Sequence, residues 1–411
     1  MRTLLKYRIL AIFPTIFLII GILCTTPEDF VVGMKAMVFS DVALVTDYFE
    51  VAGIGNALIN AALIWYLNMF ILYKLDLRPN GIIIGALFMV SGFGLMGKNF
   101  FNVWPFYVGG LIYCRYHNIN YKNVVLINML STSLSPLCNL MVKQEMYDPV
   151  VGLVLMALLG MFLGFIIPPI SAHIMTAHSG YSLYNMGLTC GLISAIIYPI
   201  LEGVGYDTAV VSRWYTGDTT LPMVIIISFC IILIVIGYIL NGKTFDGYKE
   251  IFSHTGRVVT DFIQHIGFGL TMVNMGIMGI IGVIYVIVMG GCFDGPTVTA
   301  LLTVIGFSAF GKHPKNGIPI MLGVSIASLL INRSINPSLV VMAGLFSTGL
   351  APMAGEFGVI VGVIVGILHL FLVLNTGALH GGFMLYNNGF SVGLIAMVCR
   401  PMLDAFRKGE D

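Results

Sequence analysis

The chain reads as a succession of long apolar runs cut by short polar or glycine-rich breaks. Fourteen runs are readable: 7–24, 52–73, 80–97, 101–115, 123–142, 149–169 and 181–201, then 221–240, 264–290, 296–311, 316–331, 337–353, 357–376 and 382–399. A helix needs about 20 apolar residues to cross the hydrocarbon of a bilayer. Most of these runs therefore predict transmembrane helices. Several are shorter, or carry Gly and Pro inside, which predicts broken or re-entrant helices. The expected fold is an all-α integral membrane protein of about 14 spans.

The second seven runs repeat the first. Val45-Thr46-Asp47 returns as Val259-Thr260-Asp261, and Gly53, Gly55 and Asn60 return as Gly267, Gly269 and Asn274. At the same offset Gly97-Lys98, Asn102, Pro105, Gly109 and Asn118 become Gly311-Lys312, Asn316, Pro319, Gly323 and Asn332. Ser131-Thr132 with Pro136 match Ser347-Thr348 with Pro352, and His178 to Gly191 matches His380 to Gly393. Residues 1–208 and 209–411 are thus expected to be two membrane repeats. An odd number of spans in each turns the second upside down relative to the first, as in inverted-repeat transporters.

Composition agrees with the pattern. Of 411 residues 58% are hydrophobic and 9% charged, against about 25% charged in soluble domains. A net charge of +1 offers no basic face, so nucleic acid is excluded as a partner. The start of the chain, with Arg2, Lys6 and Arg8 ahead of an apolar run, has the look of a signal peptide. It lacks an A-x-A cleavage site and is long enough to span, so it is read as the first helix. With the N-terminus inside, only Lys35, Lys98, Lys143, Arg213 and Arg333 of the 20 Lys and Arg fall in outer segments. That is the sense of the positive-inside rule. A multi-pass protein of the inner membrane with both termini cytoplasmic follows, whether alone or as a homo-oligomer.

The chemistry-bearing residues come in matched pairs. Lys98, Asn102, Pro105 and Lys312, Asn316, Pro319 place a cation and an amide just ahead of a helix-breaking proline. A lysine there attracts an anion, or snorkels to headgroups at the membrane edge. Tyr184-Asn185 and Tyr386-Asn387, within His-x-Gly-x-x-x-Tyr-Asn-x-Gly blocks, combine accessible backbone with an amide that both donates and accepts. His178 and His380 are candidates for proton coupling, or are structural. Asp47 and Asp261 read as helix N-caps, while Asn60 and Asn274 lie deeper and are candidates for a solute pathway. The hydroxyls of Ser131-Thr132 and Ser347-Thr348 are suited to bonding the preceding turn. Gly160/Gly164 and Gly358/Gly362/Gly366 read as close-packing stripes.

Other chemistries lack their signatures. Gly92-x4-Gly97-Lys98 and Gly306-x4-Gly311-Lys312 lack the final Ser/Thr of a phosphate-binding loop. Seven scattered cysteines form no C-x-x-C, and neither H-E-x-x-H nor G-x-S-x-G occurs. No metal, cofactor or enzymatic activity is expected.

The G-K-x-x-x-N-x-x-P-x-x-x-G segments at Gly97–Gly109 and Gly311–Gly323, with the L-Y-N-x-G blocks at Leu183–Gly187 and Leu385–Gly389, resemble an uncharacterised family of polytopic bacterial membrane proteins. That likeness spans nearly the whole chain and implies no activity. The L-Y-N-x-G-x-x-x-G-L blocks are also similar to glycine-rich segments of urea transporters, which are repeat-built channels. The expected function is a carrier for a small polar or anionic solute. Asn60, Asn102, Asn185, Asn274, Asn316, Asn387, Tyr184 and Tyr386 would lie at its site, with Lys98 and Lys312 at opposite mouths. A urea-type selective channel and a non-transport membrane enzyme or scaffold are the alternatives.

Overall fold

The computed structural model describes residues 3–40, 42–258, 260–331 and 335–406. Val259, Asn332 and Arg333, named above, lie outside the described residues, as do Met1 and Arg2. Among the described residues there are helices and turns but no strand. The first half holds α1 (Thr3–Leu10), α2 (Ile12–Leu23), α3 (Pro27–Phe39), α4 (Tyr48–Lys74), α5 (Gly81–Gly92) and α6 (Phe100–His117). It continues with α7 (Val125–Ser131), α8 (Ser135–Asn139), α9 (Pro149–Ala177) and α10 (Asn185–Val204). The second half holds α11 (Thr220–Leu240), α12 (Phe262–His265), α13 (Gly267–Val288), α14 (Gly295–Phe307) and α15 (Pro314–Leu330). Then follow α16 (Pro337–Ser347), α17 (Ala351–Phe357), α18 (Val359–Thr376) and α19 (Asn387–Phe406).

Each apolar run of the sequence falls on one helix or on consecutive helical segments. Nine helices among the described residues are long and apolar enough to cross a membrane, and Gly81–Leu95 and Gly295–Phe307 are shorter apolar ones. The run at 123–142 is broken: α7 gives way at Thr132–Leu134 to a 3-10 turn and then to α8, which opens on Pro136. The polar tract 241–265 holds a 3-10 turn at Tyr248–Ser253 and the single turn α12.

Burial sorts these helices. Every residue of α14 is buried, and so are nearly all of α5. A helix apolar on all sides belongs where it is surrounded, and these two pack on each other at the centre. They run antiparallel: a β-carbon on Gly92 would touch Thr299, while one on Gly306 would touch Phe88 and Gly85. The outer helices present large apolar side chains outward, such as Val154, Leu158 and Phe162 on α9 and Ile360, Ile364 and Phe371 on α18. So wide an apolar exterior calls for lipid, not water. The glycine stripes do pack helices closely. Gly164 lies against the Phe106 backbone of α6 and Gly366 against the Ile320 backbone of α15. Gly358 instead precedes α18 as its cap residue.

Connecting segments gather into two groups at the two ends of the bundle. One joins Lys6 to the Pro79 carbonyl, Arg257 and Arg400 to Ser179, and His313 to the His254 carbonyl. The other joins Arg213 to the backbone of Val45 and Asp47, Gln144 to Asp207, and Phe293 to Thr219. Helix caps tie the halves together at both ends. Asp47 caps α4 through the Phe49 N–H and also accepts from Gly295 at the start of α14. Asp261 caps α12 through Ile263 and accepts from Gly81 at the start of α5.

Candidate functional site

Two helix breaks carry the paired lysines. After α5 the chain makes a 3-10 turn and reverses at Gly97 (φ 77°); after α14 it does so at Gly311 (φ 84°). Positive φ suits glycine, and the space beside both is tight. A β-carbon at Gly97 would come within 2.6 Å of Leu385, and one at Gly311 within 2.8 Å of Leu183. Asn60 clamps the first break. Its Nδ2 donates to the carbonyls of Gly94 (2.7 Å) and Lys98 (2.8 Å), and its Oδ1 accepts from the Phe100 N–H (3.0 Å). Asn274 donates likewise to the carbonyls of Ser308 (2.7 Å) and Lys312 (2.8 Å), and accepts from the Tyr248 hydroxyl (3.1 Å). Asn102 donates to the Gly97 carbonyl and Asn316 to the Gly311 carbonyl, while each accepts from a backbone N–H at the start of its helix. These four asparagines hold the breaks in shape; their amides face the chain itself.

The lysines point inward. Lys98 and Lys312 are both 0% exposed, so neither snorkels to headgroups. Lys98 Nζ donates to the Tyr386 hydroxyl (2.6 Å) and lies 4.5 Å from that ring centre and 5.4 Å from that of Phe93. Lys312 Nζ donates to the hydroxyls of Tyr184 and Thr348, the latter at 2.8 Å, over the rings of Tyr184 and Phe307 at 4.7 and 5.4 Å. Each lysine thus bonds a tyrosine of the other half. Among the described residues neither has a carboxylate partner; ion pairs such as Lys143–Asp207 and Arg400–Asp404 lie elsewhere. The same exchange links the flanking backbone: Leu183 N–H donates to the Gly349 carbonyl and Leu385 N–H to that of Ser133, both at 3.0 Å.

The Tyr-Asn blocks sit at the starts of α10 and α19, which cross where a β-carbon on Gly187 would strike Gly389. Asn185 Oδ1 bonds His178 Nε2 (3.0 Å), and its Nδ2 donates to the carbonyl and hydroxyl of Ser171. Asn387 Oδ1 bonds His380 Nε2 (2.9 Å) and accepts from Thr376, while its Nδ2 donates to the Val373 carbonyl. His178 Nδ1 accepts from the Ser182 N–H, which leaves Nε2 as the donor to Asn185. Burial holds this imidazole below its usual pKa, against the opposing Asn185 bond. A neutral, doubly bonded ring orients Asn185.

Two cavities adjoin these blocks. The first, of about 290 Å³, is lined by Tyr184, Asn185, Tyr386 and Phe307 together with Leu126 and Val258, among others. The second, of about 240 Å³, is lined by Asn387 and Asn388, with Leu44, Met342, Val373 and Trp214. Allowing for the repeat offsets, Leu44, Met342, Val373 and Asn387 stand where Val258, Leu126, Ser171 and Asn185 stand in the first. The cavities are counterparts. They differ in depth: only the first reaches the two lysine-bonded tyrosines, and only the second has linker residues Ser212 and Trp214 in its wall.

A family model described as protein of unknown function (DUF1576) matches residues 26–203 and 240–405. The chain belongs to the DUF1576 family. The matched residues contain both lysines, both Tyr-Asn blocks and all the clamp asparagines, but not the linker residues Ser212 and Trp214. No curated protein and no solved structure matches the chain. Within this DUF1576 chain the sequence singled out both lysines, both tyrosines and both His–Asn pairs, and the structure brings each lysine to a tyrosine. Sequence reading missed Thr348 as a lysine partner, the Phe93 and Phe307 rings, and Trp214. The Ser347-Thr348 recurrence was the one signal for the first; the others carry none.

Proposed function

We propose that the protein is a carrier of two inverted repeats, residues 1–208 and 209–411, making 14 membrane crossings with both termini cytoplasmic. The reciprocal contacts favour this reading, since Lys98–Tyr386 and Lys312–Tyr184 are one interaction with the halves exchanged. So does the antiparallel course of the equivalent helices α5 and α14. The two groups of connecting segments also match the inner and outer sets that the Lys and Arg bias predicts. The inner membrane is the assigned location on that same bias.

Unequal depth in two equivalent cavities carries the choice of carrier. A fixed pore has one path for both faces. Alternating access instead has two half-paths to a shared centre, one shut while the other is open. Here the cavity beside Tyr184 is the deep one. Its rim residues Met175 and Val258 also line a surface groove with Ser179, Arg257 and His265, which this topology places at the cytoplasmic face. The solute is polar or anionic and meets Tyr184, Asn185 and Tyr386 first.

The test uses equivalent positions. In a cysteine-free background, Leu126→Cys should react with an impermeant maleimide from the cytoplasmic face and Met342→Cys from the outer face. In the double variant, a bulky maleimide on the first should suppress labelling of the second at least fivefold. Independent labelling from both faces fits a pore and overturns the carrier. Absence of labelling at both positions fits a scaffold and overturns transport altogether.

A further inference from the structure

The chemistry of the deep cavity narrows the solute. A buried ammonium without a counter-charge is costly, by several kcal/mol even after relaxation, and a protonated lysine has three N–H donors to satisfy. Among the described residues Lys98 has one hydrogen-bond partner, the Tyr386 hydroxyl, and Lys312 has two. The aromatic rings beneath them supply attraction but no acceptor. Both tyrosines line the same cavity. A phenol that accepts from an ammonium keeps its own proton to donate, and the bond it accepts strengthens the one it gives. Two lysine amines, each bonded to a tyrosine of the cavity wall, therefore flank a single space, and an anion in that space supplies the counter-charge that a protonated lysine there lacks. Apart from Asn185 and two serines the rest of that wall is apolar, with Ile82, Met89, Leu130, Phe307 and Phe310 in it. Its volume lies at the lower end of the about 300–1,000 Å³ of ligand pockets.

We infer that the transported solute is an amphipathic monoanion: a carboxylate or similar head bound at the Tyr184–Lys312 and Tyr386–Lys98 pairs, with an aromatic or short aliphatic body along the apolar wall. This deepens the carrier reading and rests on it for the purpose of the site. A neutral amide such as urea supplies no counter-charge and leaves the apolar wall uncovered. A small inorganic anion supplies the charge but does not cover the wall.

Binding is measured by calorimetry on the full-length protein in a non-ionic detergent, with four probes. 3-Phenylpropionate should bind at least tenfold more tightly than 3-phenylpropanamide, 3-phenylpropylamine or acetate. Lys312→Met should weaken it at least tenfold, while Lys6→Met, a lysine outside the site, should leave it unchanged. Tyr184→Phe keeps the ring and its packing, so it decides the matter should Lys312→Met fail to fold; a fivefold or greater loss is expected. Equal affinity for the amide or the amine, no binding of the carboxylate, or full affinity in Tyr184→Phe overturns the inference. Movement in proteoliposomes separates the two claims. Tight binding of 3-phenylpropionate without uptake would leave this inference standing and remove the carrier. Saturable uptake of a neutral solute by a protein that does not bind the carboxylate would do the reverse.

Discussion

The cavities beside Asn185 and Asn387 are built from matching residues, yet one reaches the lysine–tyrosine centre and the other stops short. The difference lies in the chain between the repeats. Two copies need one connection, and residues 205–219 supply it between α10 and α11. Arg213 pairs by backbone with Val45 and Asp47, and the Tyr215 N–H donates to the Asp47 carboxylate. These bonds lay Ser212 and Trp214 into the wall of the second cavity. At the other end no linker residue enters the wall, and Val258, the counterpart of Leu44, is held by its N–H on the Gly180 carbonyl. On the proposed carrier reading, inequality between the two halves arises from connectivity, and a single linker biases the pair toward one of its two states.

The clamp asparagines give the largest expected effect that tests how alike the halves are. Asn60→Ala leaves two buried carbonyls and the Phe100 N–H without partners. At about 1–3 kcal/mol for each buried group left unpaired, the loss is several kcal/mol. Asn274→Ala orphans two carbonyls, but its third partner is the phenol of Tyr248, half-buried and able to turn to water. Thermal unfolding in detergent should therefore fall further for Asn60→Ala, by the equivalent of about 1–2 kcal/mol. Equal losses would mean that the halves are alike at this level too.

This contrast also marks how far the sequence could be read. Apolar length places helices well, because the bilayer demands it, and the polar identities of the repeat survive in an otherwise apolar chain. The N-cap roles of Asp47 and Asp261 follow from a short-range rule and hold. The hydroxyls of Ser131, Thr132, Ser347 and Thr348 bond the preceding turn as expected. Asn60, Asn102 and Asn185 look alike on paper. Only their surroundings separate two clamps, bonded to broken backbone, from an amide beside a cavity. Lys98 and Tyr386 stand 288 positions apart and Lys312 and Tyr184 stand 128 apart, so their meeting depends on how two bundles interlock. Periodicity is silent on that.

The two cross-repeat caps offer a second, smaller contrast. Asp47 accepts from Phe49, Tyr215 and Gly295, yet burial first, and then the neighbouring Asp294, push its carboxyl up to about 7. Asp261 faces Lys6 instead. A carboxyl with a raised pKa binds its proton more tightly in the closed arrangement than in an open, solvated one, where it titrates near 3.8. Closure of the outer end is then favoured most below about pH 4. The advantage falls by up to about tenfold per unit as pH rises toward 7, and is gone above it. Labelling of Met342→Cys from the outer face, taken as a ratio to a surface cysteine that carries the thiolate's own pH dependence, should accordingly speed up between pH 5.5 and 7.5 and level off beyond. A ratio that does not change across that range would show that Asp47 stays in one protonation state throughout.

Trp214 gives the smallest expected effect and isolates the linker from everything the repeats share. Its side chain is half-buried and lines the second cavity, whereas no linker residue lines the first. Trp214→Ala removes that wall without touching a clamp, a cap or a lysine, and the backbone bonds of Arg213 and Tyr215 remain. Loss of a partly exposed aromatic costs well under the about 3–5 kcal/mol of a core truncation, so the protein should stay folded. If the linker is what shuts this side, labelling of Met342→Cys should quicken roughly fivefold, a shift of about 1 kcal/mol, with Leu126→Cys slowing as the opposite state gains population. If Met342→Cys quickens while Leu126→Cys holds its rate, the side chain is a local plug and the halves do not exchange. If neither rate moves, the inequality resides in the repeats themselves, and the explanation by connectivity fails.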